Sequence, residues 1–236
     1  MLQPSVVASL NSGTFSSSRS PATGTITSYT PQFNDCIVIV LALTQSGAIT
    51  VAPPSGWTAV MFSGNNYIPG TSAGTAGAQV VLYHFVTSAE AAAATTSWTL
   101  TNVLGTAKSG RRYVTVLRNV NTSIPVDAVA TGTGTGSAMV LPDVTPAITG
   151  GLILGFGQGN TNSASETIAT PTSPWSLVVG QMSGTSQVGL IAQNSTFTSP
   201  GVLAGGQSLA LNRTDDWICS AVTFNGADSN GFFAFF

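Results

Sequence analysis

The chain has 236 residues but few charges: Lys and Arg number 6, Asp and Glu number 8, and the net charge is −2. Only 6% of residues are charged, against about 25% in an ordinary soluble domain, and the absence of a basic run excludes electrostatic binding of nucleic acid or of a membrane surface. One His and two Cys exclude a multi-histidine metal site and a disulfide scaffold, while 43% hydrophobic residues argue against disorder.

The chain begins with a Ser-rich stretch, residues 1–23, which we interpret as an N-terminal arm able to lie along a neighbouring subunit as an extended strand. It lacks the basic and apolar regions of a secretory signal. The longest apolar run, residues 36–43, is far shorter than the roughly 20 residues of a membrane helix. We therefore predict a soluble product made in a cytoplasm, with Cys36 and Cys219 reduced and buried.

After the arm, short β-branched runs alternate with Gly, Pro, Ser and Asn, which predicts strands joined by turns. The first set of runs comprises residues 24–30, 36–44, 56–63, 78–87, 97–103 and 111–120. The second set comprises residues 138–145, 151–158, 174–180, 187–194, 207–212 and 216–225. The only helix signal is the alanine-rich segment 88–94, which is long enough for a single turn.

The two sets share their punctuation, which indicates an internal duplication. A Thr-Pro pair precedes the second run of each set, at Pro31 and Pro146, and a Pro-rich turn precedes Trp57 and Trp175. We predict an all-β fold made of two repeat-related antiparallel β-sandwich (jelly-roll-like) units of about six strands each, packed together or interleaved.

The predicted organisation has five parts. The first repeat spans residues 24–121 and follows the arm at residues 1–23. A linker at 122–137 leads to the second repeat at 138–226 and to a Phe-rich tail at 227–236. Residues 37–43 and 152–154 are apolar at consecutive positions, so these strands need cover on both faces. This favours two sandwiches packed against each other with pseudo-two-fold symmetry.

The residues needed for catalysis do not occur in a recognisable pattern. His84 is the only candidate general base, and it lies on an otherwise apolar strand face, so we interpret it as a packed or rim residue. The eight acids are scattered, without the spacing of a glycosidase pair or a calcium loop. The Gly-rich segment 131–136 is interpreted as a flexible connector and segment 155–159 as part of a buried strand. We predict a protein that is not an enzyme and that has no metal and no cofactor.

Two pairs of like charges stand at matching points of the repeats. Arg111 and Arg112 open the last strand of the first repeat, and Asp215 and Asp216 lie at the matching point of the second. Because the chain has so few charges, we predict that the two pairs meet, within the chain or between subunits. The alternative is that each pair keeps a strand end hydrated.

The tail and one loop are further candidate contact surfaces. Residues 231–236 contain four phenylalanines, Phe232, Phe233, Phe235 and Phe236. An exposed tail of this composition aggregates, so we predict that it docks in a neighbouring subunit or seals its own sandwich. Loop 63–77 places Tyr67 at an exposed tip, and loops on a rigid sandwich commonly carry binding. Tyr67 is therefore a candidate glycan contact.

Several of these features together resemble the duplicated β-sandwich proteins encoded among the virion genes of tailed bacteriophages, known as minor tail or virion structural proteins. The resemblance rests on the Pro-rich segment 53–58, the strand 81–90, the hinge 124–127 and the second copy with its Pro-Trp start. It covers about residues 22–226.

The resemblance implies a non-enzymatic structural protein of a tailed-phage virion, tail-associated or decorating the capsid and made in the host bacterial cytoplasm. Its partners are expected to be copies of itself, as a homo-oligomer, and other virion proteins. The alternative is a carbohydrate-binding adhesin, or receptor-binding module, that recognises host cell-surface glycans through the loops around Tyr67 and residues 160–165.

Overall fold

Eleven strands and one short helix form in the residues that the computed structural model describes, namely 2–44, 49–70, 77–159, 167–179, 188–194 and 204–227. The elements are β1 Ser5–Ser18, β2 Cys36–Leu43, β3 Trp57–Ala59, β4 Ile68–Pro69, β5 Ala78–Phe85, α1 Ser88–Ala92, β6 Lys108–Arg118, β7 Val126–Val144, β8 Leu152–Gly159, β9 Ser176–Val179, β10 Val188–Asn194 and β11 Ala204–Phe224. The helix described is too short and too polar to cross a membrane.

The strands form two antiparallel sheets with the same internal order. The first sheet runs β1-β6-β2-β5-β3, with β4 also paired to β5, and the second runs β7-β11-β8-β10-β9. Each strand of the second sheet occupies the place of its counterpart in the first, as a duplication requires. The predicted all-β, two-unit fold is confirmed. Each unit contributes one sheet, and the two sheets pack face to face.

The facing of the sheets follows from contacts between them. The Ser220 hydroxyl on β11 donates a hydrogen bond to Gln79 on β5, so these strands lie opposite each other. At the far side, the Ser9 hydroxyl on β1 donates to the carbonyl of Val178 on β9 at 3.1 Å. The order of the second sheet is therefore reversed across the first, which is the arrangement that an approximate two-fold axis produces.

The consecutive apolar residues of β2 are explained by cover on both faces. All eight residues of β2 are buried. Val38 and Val40 pack against the second sheet in one apolar cluster, whereas Ile39 and Leu41 pack outward beneath Trp98 in another cluster. Since successive strand residues point to opposite faces, a strand at the middle of three layers must be apolar at every position.

The second sheet has its own outer cover, to which Met139 and Leu141 of β7, Leu209 and Leu211 of β11, and Trp175 contribute. Leu141 and Trp175 lie over β8, and a Cβ atom built on Gly155 would lie 2.8 Å from the Trp175 ring. A Cβ atom built on Gly157 would lie 2.8 Å from the terminal methyl group of Met139. The glycines of β8 therefore permit close approach within a buried strand, as predicted.

Several predicted boundaries differ from the structure. The predicted arm contains β1, which pairs with β6 of its own chain. The predicted linker 122–137 lies in β7 from Val126 onward. The predicted connector 131–136 is also part of this strand: it pairs with β11, and Gly132 and Gly134 lie against the Trp217 indole. The predicted strands 207–212 and 216–225 form one strand, β11, with a bulge between them.

Two other predicted strands, residues 24–30 and 97–103, are not strands, although each buries some of its apolar residues. Ile26 and Leu100 pack on the outer face of the first sheet, and a single isolated bridge joins Ala22 to Thr99. Their apolar residues do contribute to the core, but each segment packs on the first sheet without pairing as one of its strands. The predicted single helical turn at 88–94 is confirmed as α1.

Candidate functional site

Arg111 points into the space between the two sheets. Arg111 on β6 lies opposite Ala42 of β2, just as Tyr113 lies opposite Val40. Val40 faces the second sheet, and residues two apart on a strand share a face, so Arg111 faces the second sheet as well. Arg111 is only 5% exposed. Its interpretation as a residue that keeps a strand end hydrated is therefore wrong, because a buried guanidinium loses most of its hydration.

A group of buried polar side chains surrounds this position. Gln79 lies across Ala42 from Arg111 on the same sheet face, and Gln158 of the second sheet donates to the Leu43 carbonyl at 3.3 Å. In the described part of the chain, Nε and Nη1 of Arg111, Nε2 of Gln79 and the Tyr113 hydroxyl make no hydrogen bond. Burial raises the pKa of Tyr113, although the positive charge of Arg111 opposes this shift.

The aspartate pair lies at the same end of the sandwich as the arginine pair. Asp216 lies opposite Thr135 of β7 and accepts a hydrogen bond from its hydroxyl. It is two residues from Ile218, which contributes to the apolar cluster between the sheets. Arg112 is half-buried, and burial lowers the pKa of its guanidinium. Contact between the two pairs, in the chain or between subunits, stays a prediction.

His84 is packed into a polar cluster that fastens α1 to the first sheet. Its Nδ1 lies 2.8 Å from the Gly56 carbonyl, and its Nε2 lies 2.9 Å from a Glu90 carboxylate oxygen. Trp57 stacks on the ring at a centroid distance of 5.1 Å, and the Trp98 indole donates to Glu90 at 2.8 Å. Both ring nitrogens are thus engaged with fixed partners, so the prediction of a packed histidine is confirmed.

Glu90 receives hydrogen bonds from several directions. Glu90 closes a capping box with Thr87 at the start of α1. The backbone N–H of Thr87 donates a hydrogen bond to the Glu90 carboxylate at 2.8 Å. Burial opposes ionisation of this carboxyl, but hydrogen bonds from Thr87, His84 and Trp98 outweigh burial and lower its pKa to about 2. The carboxylate therefore serves to hold the helix, which leaves it without the raised pKa expected of a general acid.

Tyr67 is not at an exposed tip. Its side chain is half-buried and packs against the outer apolar cluster of the first sheet. The neighbouring Asn66 amide donates to the Val51 carbonyl at 2.7 Å, which holds this part of the loop against the sheet. The prediction of an exposed ring is wrong because an aromatic side chain beside an apolar surface gains more by burial. The role of Tyr67 as a glycan contact stays a prediction, and its half-buried ring offers less surface for such a contact.

A polar cavity of about 430 Å³ opens at the opposite end of the sandwich. Asp35 and Arg118 form its inner wall, where Nε and Nη2 of Arg118 each donate to a different Asp35 oxygen at 2.8 Å. The Tyr29 hydroxyl donates to the same carboxylate at 2.9 Å. Phe33 lines the cavity and is 63% exposed, so the exposed aromatic ring that was predicted at Tyr67 is found here instead.

Sequence reasoning missed this cavity, although one signal was present. Asp35 directly precedes β2 and Arg118 is the last residue of β6, and these two strands are antiparallel neighbours with Cys36 opposite Leu117. Two opposite charges at adjoining ends of paired strands are placed to meet. The pair was overlooked because the pairing of β2 with β6 was not assigned.

The edge of the second sheet offers an extended contact surface. β7 pairs with β11 and has no strand described on its other side. From Ala128 to Pro142 it contains no ionisable residue, and Thr131, Thr133 and Thr135 are exposed. We call this segment the β7 edge. Unpaired edge strands without charges are templates for pairing with another chain.

The other predicted site residues are the phenylalanines of the tail and the two cysteines. Phe232, Phe233, Phe235 and Phe236 lie outside the described residues. Cys36 and Cys219 are both free and buried, as predicted, and burial raises the pKa of both thiols. The described residues contain no cluster of metal-ligating side chains. Comparison with protein families, with characterised proteins and with solved structures found no match.

Proposed function

We propose that this chain is a non-enzymatic structural protein of a tailed-phage virion, which assembles on the particle with copies of itself and with other virion proteins. The proposal rests on the resemblance of segments 53–58, 81–90 and 124–127 to duplicated virion proteins. The duplicated two-sheet architecture is compatible with that resemblance. Immunogold labelling of purified particles distinguishes a location on the tail from one on the capsid.

The β7 edge is the observation that carries the assembly proposal. Natural sheets protect long edges with Lys, inward charges or Pro. Here Asp127 and Asp143 stand only at the two ends of the uncharged segment, and Pro142 lies next to Asp143. Between them Thr131, Thr133 and Thr135 are exposed, on a strand with no partner described on its other side, so this segment offers an edge to which another strand can be added.

A localisation experiment tests the proposal. Antibodies raised against the purified chain are expected to label intact, gradient-purified phage particles at a regular position, seen by immunogold electron microscopy. Quantitative mass spectrometry of the same particles should give a copy number that fits the symmetry of that position. Finding the chain in infected-cell lysates but not in purified particles would contradict the proposal.

A further inference from the structure

The cavity at the Asp35–Arg118 end is lined chiefly by neutral polar side chains. Six amide and hydroxyl residues line it: Gln32, Asn34, Asn119, Asn121, Thr122 and Ser123. Amides and hydroxyls both donate and accept hydrogen bonds. A cavity of about 430 Å³ falls within the usual range for small-ligand sites, roughly 300–1,000 Å³.

The walls of this cavity are held in place by their own hydrogen bonds. The Asn121 side-chain oxygen accepts from the backbone N–H groups of Ser123 and Ile124 at 2.9 and 3.0 Å. The Asn34 N–H donates to the Val86 carbonyl at 2.9 Å, and the Ala227 N–H donates to the Asn119 carbonyl at 2.7 Å. Because these walls are already fixed, less conformational entropy of the protein is lost when a ligand binds.

The cavity has no net charge to attract an ion. Among the described residues that line it, Asp35 and Arg118 are the only charged ones, and they neutralise each other through their two hydrogen bonds. Asp35 also accepts from the Tyr29 hydroxyl and the Gln32 N–H at 2.9 Å each. An ion that displaced Arg118 from Asp35 would leave the buried carboxylate without its partner, which is strongly unfavourable.

The exposed ring of Phe33 gives the cavity an apolar edge. A saccharide presents hydroxyl groups around its rim and C–H groups on its faces, so it complements neutral hydrogen-bonding walls beside an aromatic ring. A peptide would need pockets for apolar side chains, whereas Phe33, Val120 and Ala227 are the only apolar residues among the described ones that line the cavity. We propose that this cavity binds a neutral saccharide, with Phe33 against a sugar face and the amide and hydroxyl side chains on its hydroxyls.

Binding can be measured with defined probes. A panel of neutral oligosaccharides built from glucose, galactose, rhamnose and N-acetylglucosamine is printed beside acidic ones, and the strongest neutral binder is titrated by calorimetry. We expect the wild-type chain to bind a neutral member of the panel. Phe33→Ala should weaken that binding at least tenfold, since the aromatic contact is lost. Thr122→Val, which removes a hydroxyl but keeps the shape, should weaken it as well.

Two control variants make the experiment decisive. Ile124 is equally exposed, at 64%, but does not line the cavity, so Ile124→Ala should bind like the wild type. Tyr67→Ala should also bind normally, which separates this cavity from loop 63–77. The proposal is overturned if no neutral oligosaccharide binds, if only acidic ones bind, or if Phe33→Ala binds as tightly as the wild type. Such a result would leave the assembly proposal standing, because the β7 edge is a separate surface.

Discussion

Single charged residues in this chain act as fasteners at strand and helix ends. Asp35 connects the start of β2 to the end of β6 through Arg118. Glu90 connects α1 to β5 through His84 and to the segment after α1 through Trp98. Hydrogen bonds to an ionised carboxylate are roughly twice as strong as those between neutral groups. A few well-placed charges can therefore fix connections that the apolar layers do not determine.

The pH dependence of stability tests the role of Glu90. Its pKa is about 2 in the folded chain and 4.5 ordinarily, so ionised Glu90 stabilises the fold above about pH 4.5. This contribution is lost as the pH falls from 4.5 toward 2. We expect Glu90→Gln to cost about 1–3 kcal/mol at pH 7 and less at pH 3, measured by urea unfolding. A constant difference between the two proteins at pH 7 and pH 3 would contradict this role.

At the level of elements, the fold depends on glycines that let layers approach closely. Gly155 of β8 lies beneath Trp175 and Leu141, whose nearest atoms would be 2.8 and 3.2 Å from an added Cβ. Both of these neighbours are buried and belong to the outer cover of the second sheet. An added methyl group therefore has to displace packed side chains on the outer face.

Replacing this glycine tests the packing of the outer cover. Gly155→Ala should destabilise the chain by about 1–3 kcal/mol, the usual cost of overpacking, in denaturant unfolding. Gly136→Ala on β7 is the matched control, since only the Ala138 nitrogen lies near its added Cβ, at 3.9 Å. Equal stability of the two variants would show that the cover is not tightly packed against β8.

The sequence was informative about elements whose apolar residues form the core. β2, β5, β6 and β8 were predicted from runs of β-branched and apolar residues, and the structure confirms them as strands. Residues 126–137 of β7 were harder to assign and were predicted as part of a linker, because Thr-Gly alternation has no apolar period and the partner strand β11 is distant in sequence. The ion pair of Asp35 and Arg118 was missed because it forms only when β2 and β6 are neighbours, and this pairing was not predicted.

At the scale of the whole molecule, the scarcity of charge has a structural counterpart. The apolar residues are divided among three clusters, one between the sheets and one outside each sheet. The strands at the centre of these layers have no face on which a charge could be hydrated. The surface is also poor in charges, and the β7 edge is an extended part of it. Such a surface is suited to being covered by neighbouring chains.

The measurement that tests the assembly claim most directly is the solution mass of edge variants, by size-exclusion chromatography with light scattering. We expect the wild-type chain to form assemblies larger than the 23.9 kDa monomer. Thr133→Lys, which places a charge in the middle of the β7 edge, should shift them to monomers. Ala92→Lys on the exposed surface of α1 is the control and should assemble normally. A wild-type monomer at all concentrations, or unchanged assembly of Thr133→Lys, would contradict the account.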